Sequence, residues 1–95
     1  MDHLAGYVAI VTGGSSGIGR AAALGLAARG ANVLVTGRHD KPLAEVAAAH
    51  AGIAGFVADV ARPEDGARTI EQAVKLWGRL DVLVNNAGAG AILPL

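Results

Sequence analysis

The apolar run YVAIV (residues 7–11) opens through Thr12 into GGSSGIG (13–19), four glycines and two serines within seven positions. Glycine accepts positive φ without steric cost, so such a run turns sharply where a strand ends. With no Cβ in the way, main-chain N–H groups can also approach another molecule closely. If a helix follows, its unpaired first-turn amides and its dipole favour negative charge at that spot. Ser15 and Ser16 add hydroxyl donors. The chemistry this suits is the gripping of a diphosphate.

Few other residue types compete with that reading. The chain has no Cys, which excludes disulfides and Cys-ligated metal. The three His (His3, His39, His50) are scattered without ligand-like spacing, so no metal site is expected. Eight basic and eight acidic side chains balance to zero, leaving no electrostatic footprint for nucleic acid or an anionic membrane. No segment is long enough to span a bilayer and no basic region leads into an apolar one at the N-terminus, so a cytoplasmic location is expected.

The elements that must position the loop follow from hydropathy patterning. YVAIV (7–11), NVLVT (32–36), GFVAD (55–59) and DVLVN (81–85) are short, nearly continuous apolar runs. Runs of that kind suit parallel strands covered on both faces. Between them lie helical stretches. The first runs from Gly17 to Arg29, with Ala21, Leu24, Leu26 and Ala28 to pack and Gly30 as its stop. The second starts at Asp40 as N-cap, with Pro42 in its first turn and Leu43, Val46 and Ala47 on its apolar side. The third starts in RPED, presents Ile70, Val74 and Trp77, and carries acidic residues early and Lys75 late, as the helix dipole prefers. The order is β-α-β-α-β-α-β without linker or repeat. It predicts an α/β fold, one half of a Rossmann-like, doubly wound parallel sheet ending after its fourth strand. Residues 1–95 are read as one N-terminal part of such a domain.

At this level of detail the sequence resembles the short-chain dehydrogenases/reductases. Their cofactor motif T-G-x-x-x-G-x-G stands as Thr12, Gly13, Gly17 and Gly19. Their N-N-A-G motif stands as Asn85–Gly88 after the fourth strand, and their Asp-Val pair after the third is Asp59–Val60. The resemblance covers the chain but only the N-terminal part of a whole family member. It implies that Gly13, Ser15, Ser16, Gly17, Ile18 and Gly19 hold the phosphates and adjoining ribose of a dinucleotide. Asp59 would accept from the adenine amino group with Val60 against the ring. Asn86, Ala87 and Gly88 would line the path toward nicotinamide. The whole protein would then move hydride between the cofactor and a small carbonyl or alcohol substrate, as a homo-oligomer.

The stretch VTGRHD (35–40) bears on the choice of cofactor. An NAD-preferring site places a carboxylate at the end of the second strand, where this chain has Gly37 and then Arg38. A guanidinium can pair with a 2′-phosphate through two parallel charge-assisted bonds, which favours NADP(H) over NAD(H). The family's proton relay, a Ser and a Tyr-x-x-x-Lys, lies beyond the N-N-A-G strand. The single Tyr here, Tyr7, is followed four residues later by Val11, so no catalytic residue is assigned within 1–95. Two readings stay open: a part of an oxidoreductase, weighted more heavily, and a non-catalytic nucleotide-binding module or remnant. In either, the outer edge of DVLVN is expected to stand unpaired, which predicts aggregation or loose folding of the isolated chain.

Overall fold

The computed structural model describes residues 3–15 and 17–86, together with the backbone of 91–94. Its elements are β1 (Val8–Thr12), α1 (Gly17–Ala28), β2 (Asn32–Gly37), α2 (Asp40–Ala49), β3 (Ile53–Val57), α3 (Pro63–Trp77), β4 (Val82–Asn85) and β5 (Ala91–Pro94). The sheet order is β3-β2-β1-β4-β5. Pairing is parallel from β3 through β4, which is the doubly wound arrangement expected. The strand β5 then adds antiparallel to β4, with Leu83 opposite Leu93. The outer edge of β4, expected to stand bare, is therefore paired. The segment AILP is four residues long and ends in Pro, too short to carry a strand signal of its own.

The continuous apolar runs divide between two cores because successive strand residues face opposite sides. Val11, Val33, Val35 and Val84 pack with Ala23 and Ala27 of α1 and Leu43 and Val46 of α2. Val8, Ile10 and Leu34 pack with Ala73 on the other side, flanked by Trp77, Leu80 and Leu83. The buried faces of two helices differ from the expected ones. On α1, Gly19, Ala23 and Ala27 are buried, while Ala21 and Ala28 are exposed. On α3, Thr69 and Ala73 are buried, whereas Ile70 and Val74 are each 45% exposed. In both, the fully buried positions carry small side chains, as close helix-on-sheet packing favours.

Strand β3 lies two residues earlier than its apolar signal. Ile53 pairs with Val33 and Val57 with Gly37, after which Ala58 donates one more bond to the Gly37 carbonyl at 2.9 Å. This shift frees Asp59 and Val60 from the sheet. The N-cap of α2 is His39, and Asp40 is the first helical residue. There its carboxylate complements the helix dipole rather than capping an amide.

Candidate functional site

The C-terminal ends of β1, β2 and β3 open into a cleft of ≈ 650 Å³ lined by Gly13, Ser15, Thr36, Gly37, Arg38, Asp59, Val60 and neighbouring residues. That is the size range of a small-molecule pocket. Its position also follows from topology: the crossover helix α1 after β1 and the crossover helix α3 after β3 pack on opposite faces of the sheet, and ligands of such sheets bind at the carboxyl ends of the strands.

One wall is the glycine loop. Gly13 and Gly17 adopt φ of +64° and +60°, a conformation other residues take only with strain. Gly19 is required for a different reason. A Cβ there would strike the Gly13 carbonyl oxygen and stand 2.6 Å from Asn86 Nδ2. The loop is braced from behind. Asn86 Nδ2 donates to the Gly13 carbonyl at 3.2 Å, and the Asn86 N–H donates to Thr12 Oγ1 at 3.0 Å. Thr12 Oγ1 in turn lies 3.1 Å from Asn85 Oδ1, to which it donates. The Gly14 N–H is spent on the Thr36 carbonyl at 3.1 Å, tying the loop to β2. Helix α1 begins at Gly17, directly after the loop, and the unpaired amides of a helix's first turn suit an anion.

The opposite wall is the β3–α3 turn. Asp59 Oδ1 accepts the Ala61 N–H at 3.1 Å, and the Asp59 carbonyl accepts the Arg62 N–H at 2.9 Å, which closes the turn. Arg38 is exposed on the rim between the two walls and also borders a second cavity with Arg62 and Arg68. Among the described residues, Arg38 makes no ion pair, whereas Arg62 pairs with Glu64 and Arg68 with Asp65. The floor holds Thr36, which is buried and whose hydroxyl has no hydrogen-bond partner among the described residues. A buried hydroxyl without a partner is costly to the fold.

Of the residues singled out from sequence, Gly13, Ser15, Arg38, Asp59 and Val60 are brought together around the cleft. Gly17 and Ile18 begin α1 at the loop's far end, both exposed, and Ile18 is 80% so. Gly19 and Asn86 support the loop from behind rather than line the cleft. Ser16, Ala87 and Gly88 lie outside the described residues. Sequence reasoning missed Thr36, His39, Ala58 and Ala61, all in the lining, and gave Asn85 no role. A hydroxyl closing an otherwise apolar strand was the available signal for Thr36. Among the described residues no group of three or more His, Asp or Glu could hold a metal ion, and no helix is long and apolar enough to cross a membrane.

A model of the short chain dehydrogenase family matches residues 7–94. The chain belongs to that family. It is 42% identical over 99 residues to an 11-beta-hydroxysteroid dehydrogenase A of Sesamum indicum, a match covering 99% of this chain and 28% of the relative. It is 47% identical over 88 residues to a putative ketoacyl reductase of granaticin polyketide synthesis in Streptomyces violaceoruber, covering 92% and 35%. An L-rhamnose 1-dehydrogenase (NAD(P)(+)) of Sphingomonas is 41% identical over 93 residues, covering 93% and 37%. Among solved structures, the apo glucose dehydrogenase of Caenorhabditis elegans superposes with a TM-score of 0.81 at 40% identity, over 88% of this chain and 38% of the other. This short-chain dehydrogenase chain thus spans little more than a third of these relatives, or less. The family uses nicotinamide dinucleotides, and the site fits one: a glycine loop whose shape a Cβ on Gly19 would break, beside a cleft lined by Gly13, Ser15 and Asp59, with Arg38 on the rim making no ion pair among the described residues.

Proposed function

We propose that the chain is the dinucleotide-binding part of an oxidoreductase that uses NADP(H) in preference to NAD(H). When bound, the nicotinamide supplies hydride to a carbonyl or takes it from an alcohol. Gly13, Ser15, Ser16, Gly17, Ile18 and Gly19 hold the diphosphate and its ribose at the mouth of α1. Asp59 accepts from the adenine amino group through the oxygen not bonded to Ala61, and Val60 lies along the ring. Arg38 pairs with the 2′-phosphate. Asn86 keeps the glycine loop in shape, and Ala87 and Gly88 continue toward the nicotinamide.

The observation that carries this reading is the convergence of Gly13, Ser15, Arg38, Asp59 and Val60 on one cleft at the carboxyl ends of three parallel strands. The preference for NADP(H) is supported by Gly37 standing at the end of β2, where a carboxylate would repel a 2′-phosphate, and by the Arg38 guanidinium beside it, which makes no ion pair among the described residues. Isothermal titration of the chain with NADP+ and with NAD+ tests both parts. NADP+ should bind about tenfold more tightly, the worth of one charge-assisted pair on a solvent-exposed rim. Equal affinities would remove the role of Arg38, and absence of heat with either nucleotide would remove the reading itself.

A further inference from the structure

The peptide of Asp59 is the first after β3 that the sheet does not satisfy. Ala58 still donates to Gly37, but the next N–H points away from β2. It donates instead to Asp65 Oδ2, at 2.8 Å, in the first turn of α3. The second oxygen of the same carboxylate, Oδ1, accepts from Arg68 Nη1 at 3.1 Å, and the Arg68 guanidinium lies 5.4 Å from the centre of the Phe56 ring on β3. The Asp65 N–H donates to the Arg62 carbonyl at 3.0 Å. Asp65 is therefore tied at once to the end of β3, to the start of α3 and to the turn between them. It is not among the residues that line the cleft.

We propose that Asp65 is a positioning residue for the adenine end of the site: by holding the Asp59 peptide it fixes where the Asp59 carboxylate and Val60 stand. The inference rests on the dinucleotide reading above. The turn has its own inner bonds, from Ala61 and Arg62 to Asp59, but these only close it on itself. The Asp65 side chain ties the Asp59 peptide itself to the first turn of α3. A carboxylate suits the task because the helix dipole and a charge-assisted bond both favour it there. The Asp59 N–H holds the Asp65 carboxyl below the usual carboxylate range, with Arg68 adding to the effect against some desolvation. The anion is thus the form present at neutral pH.

Binding of 5′-AMP and of inorganic pyrophosphate to the 95-residue chain tests this, using D65A, D65N and R68Q. Pyrophosphate reports on the glycine loop alone, whereas 5′-AMP also needs the Asp59 turn. D65A should weaken 5′-AMP about tenfold and leave pyrophosphate unchanged. D65N keeps an oxygen acceptor for the Asp59 N–H while losing the ion pair, and should stay within about twofold of wild type for both probes, as should R68Q. In NMR spectra of the wild type, the Asp59 amide proton should move on acidification with a midpoint below the ordinary carboxylate range, and D65N should abolish that movement. Wild-type affinity for 5′-AMP in D65A would overturn the inference alone. Equal losses for both probes would also overturn it, because the residue would then serve only the fold. Failure of the wild type to bind 5′-AMP would overturn the dinucleotide reading and this inference together.

Discussion

The two ends of the sheet are built to opposite purposes. At the amino ends of β1 and β4 the polar groups are knit to one another. Asp81 Oδ2 accepts the Val8 N–H at 2.8 Å, and the Asp81 N–H donates to the Val8 carbonyl at 2.9 Å. Arg79 grips both oxygens of Asp81, at 2.6 and 2.9 Å, and lies over the Tyr7 ring. At the carboxyl ends, β1 runs into the glycine loop, and β2 beside it brings to the cleft a buried Thr36 hydroxyl and an exposed Arg38. Among the described residues the hydroxyl has no hydrogen-bond partner and Arg38 makes no ion pair. Strand chemistry does not explain the contrast, since β1 serves both ends. What differs is the connection. At the closed end a short turn from α3 brings Arg79 and Asp81 back against β1, whereas at the open end the crossovers diverge. One end stabilises, and the other is left free to bind.

The sharpest way to break this division is Gly19→Val. The side chain has no space beside the Gly13 carbonyl and Asn86, so the loop must shift. Titration should show no detectable NADP+ binding, while circular dichroism still reports a folded sheet. Retained tight binding would show that the loop's present shape is not the one that binds. Leu34→Ala follows in size. Leu34 is fully buried in the middle of β2, midway between the ends, and its truncation should cost about 2–5 kcal/mol in urea unfolding. Affinity of the folded fraction should change little.

Arg38→Ala is smaller and confined to the open end. NADP+ should lose about tenfold in affinity, with NAD+ unchanged and unfolding unaffected. Parallel loss of both nucleotides would move Arg38 from the 2′-phosphate to a general electrostatic role. The smallest effect is expected for Asp81→Asn at the closed end. The Asp81 carboxyl is held below its ordinary value, first by the bond from Arg79 and then by the Val8 N–H. A lowered folded value means the carboxylate stabilises the fold above the ordinary carboxylate pKa, and that contribution is lost as pH falls through the folded value. Asp81→Asn should therefore lower the melting temperature modestly at neutral pH. The gap to wild type should close in strong acid, with nucleotide affinity at neutral pH untouched. A drop in that affinity would mean the two ends are coupled.

Much of this was legible before the fold was known. Apolar runs of β-branched residues separated by helical stretches dictate a parallel sheet, because only a sheet covered on both faces makes such runs useful. Glycines packed between a strand and a helix dictate a turn that side chains would spoil, and Asp59–Val60 and Asn85–Asn86 fall at strand ends by simple counting. Tertiary structure decided what local pattern cannot. The helix faces that meet the sheet were chosen by how closely the helices approach, which favours Ala73 over the larger Ile70 and Val74. The pairing of β5 depends on β4 being beside it, across a connection with no strand signal of its own. The bond from Asp65 to the Asp59 amide joins residues six apart whose meeting requires β3 to end at Val57 and α3 to begin at Pro63. Sequence specifies periodicity and the chemistry available at each position. Which groups touch is settled only when strands and helices compete for the same space.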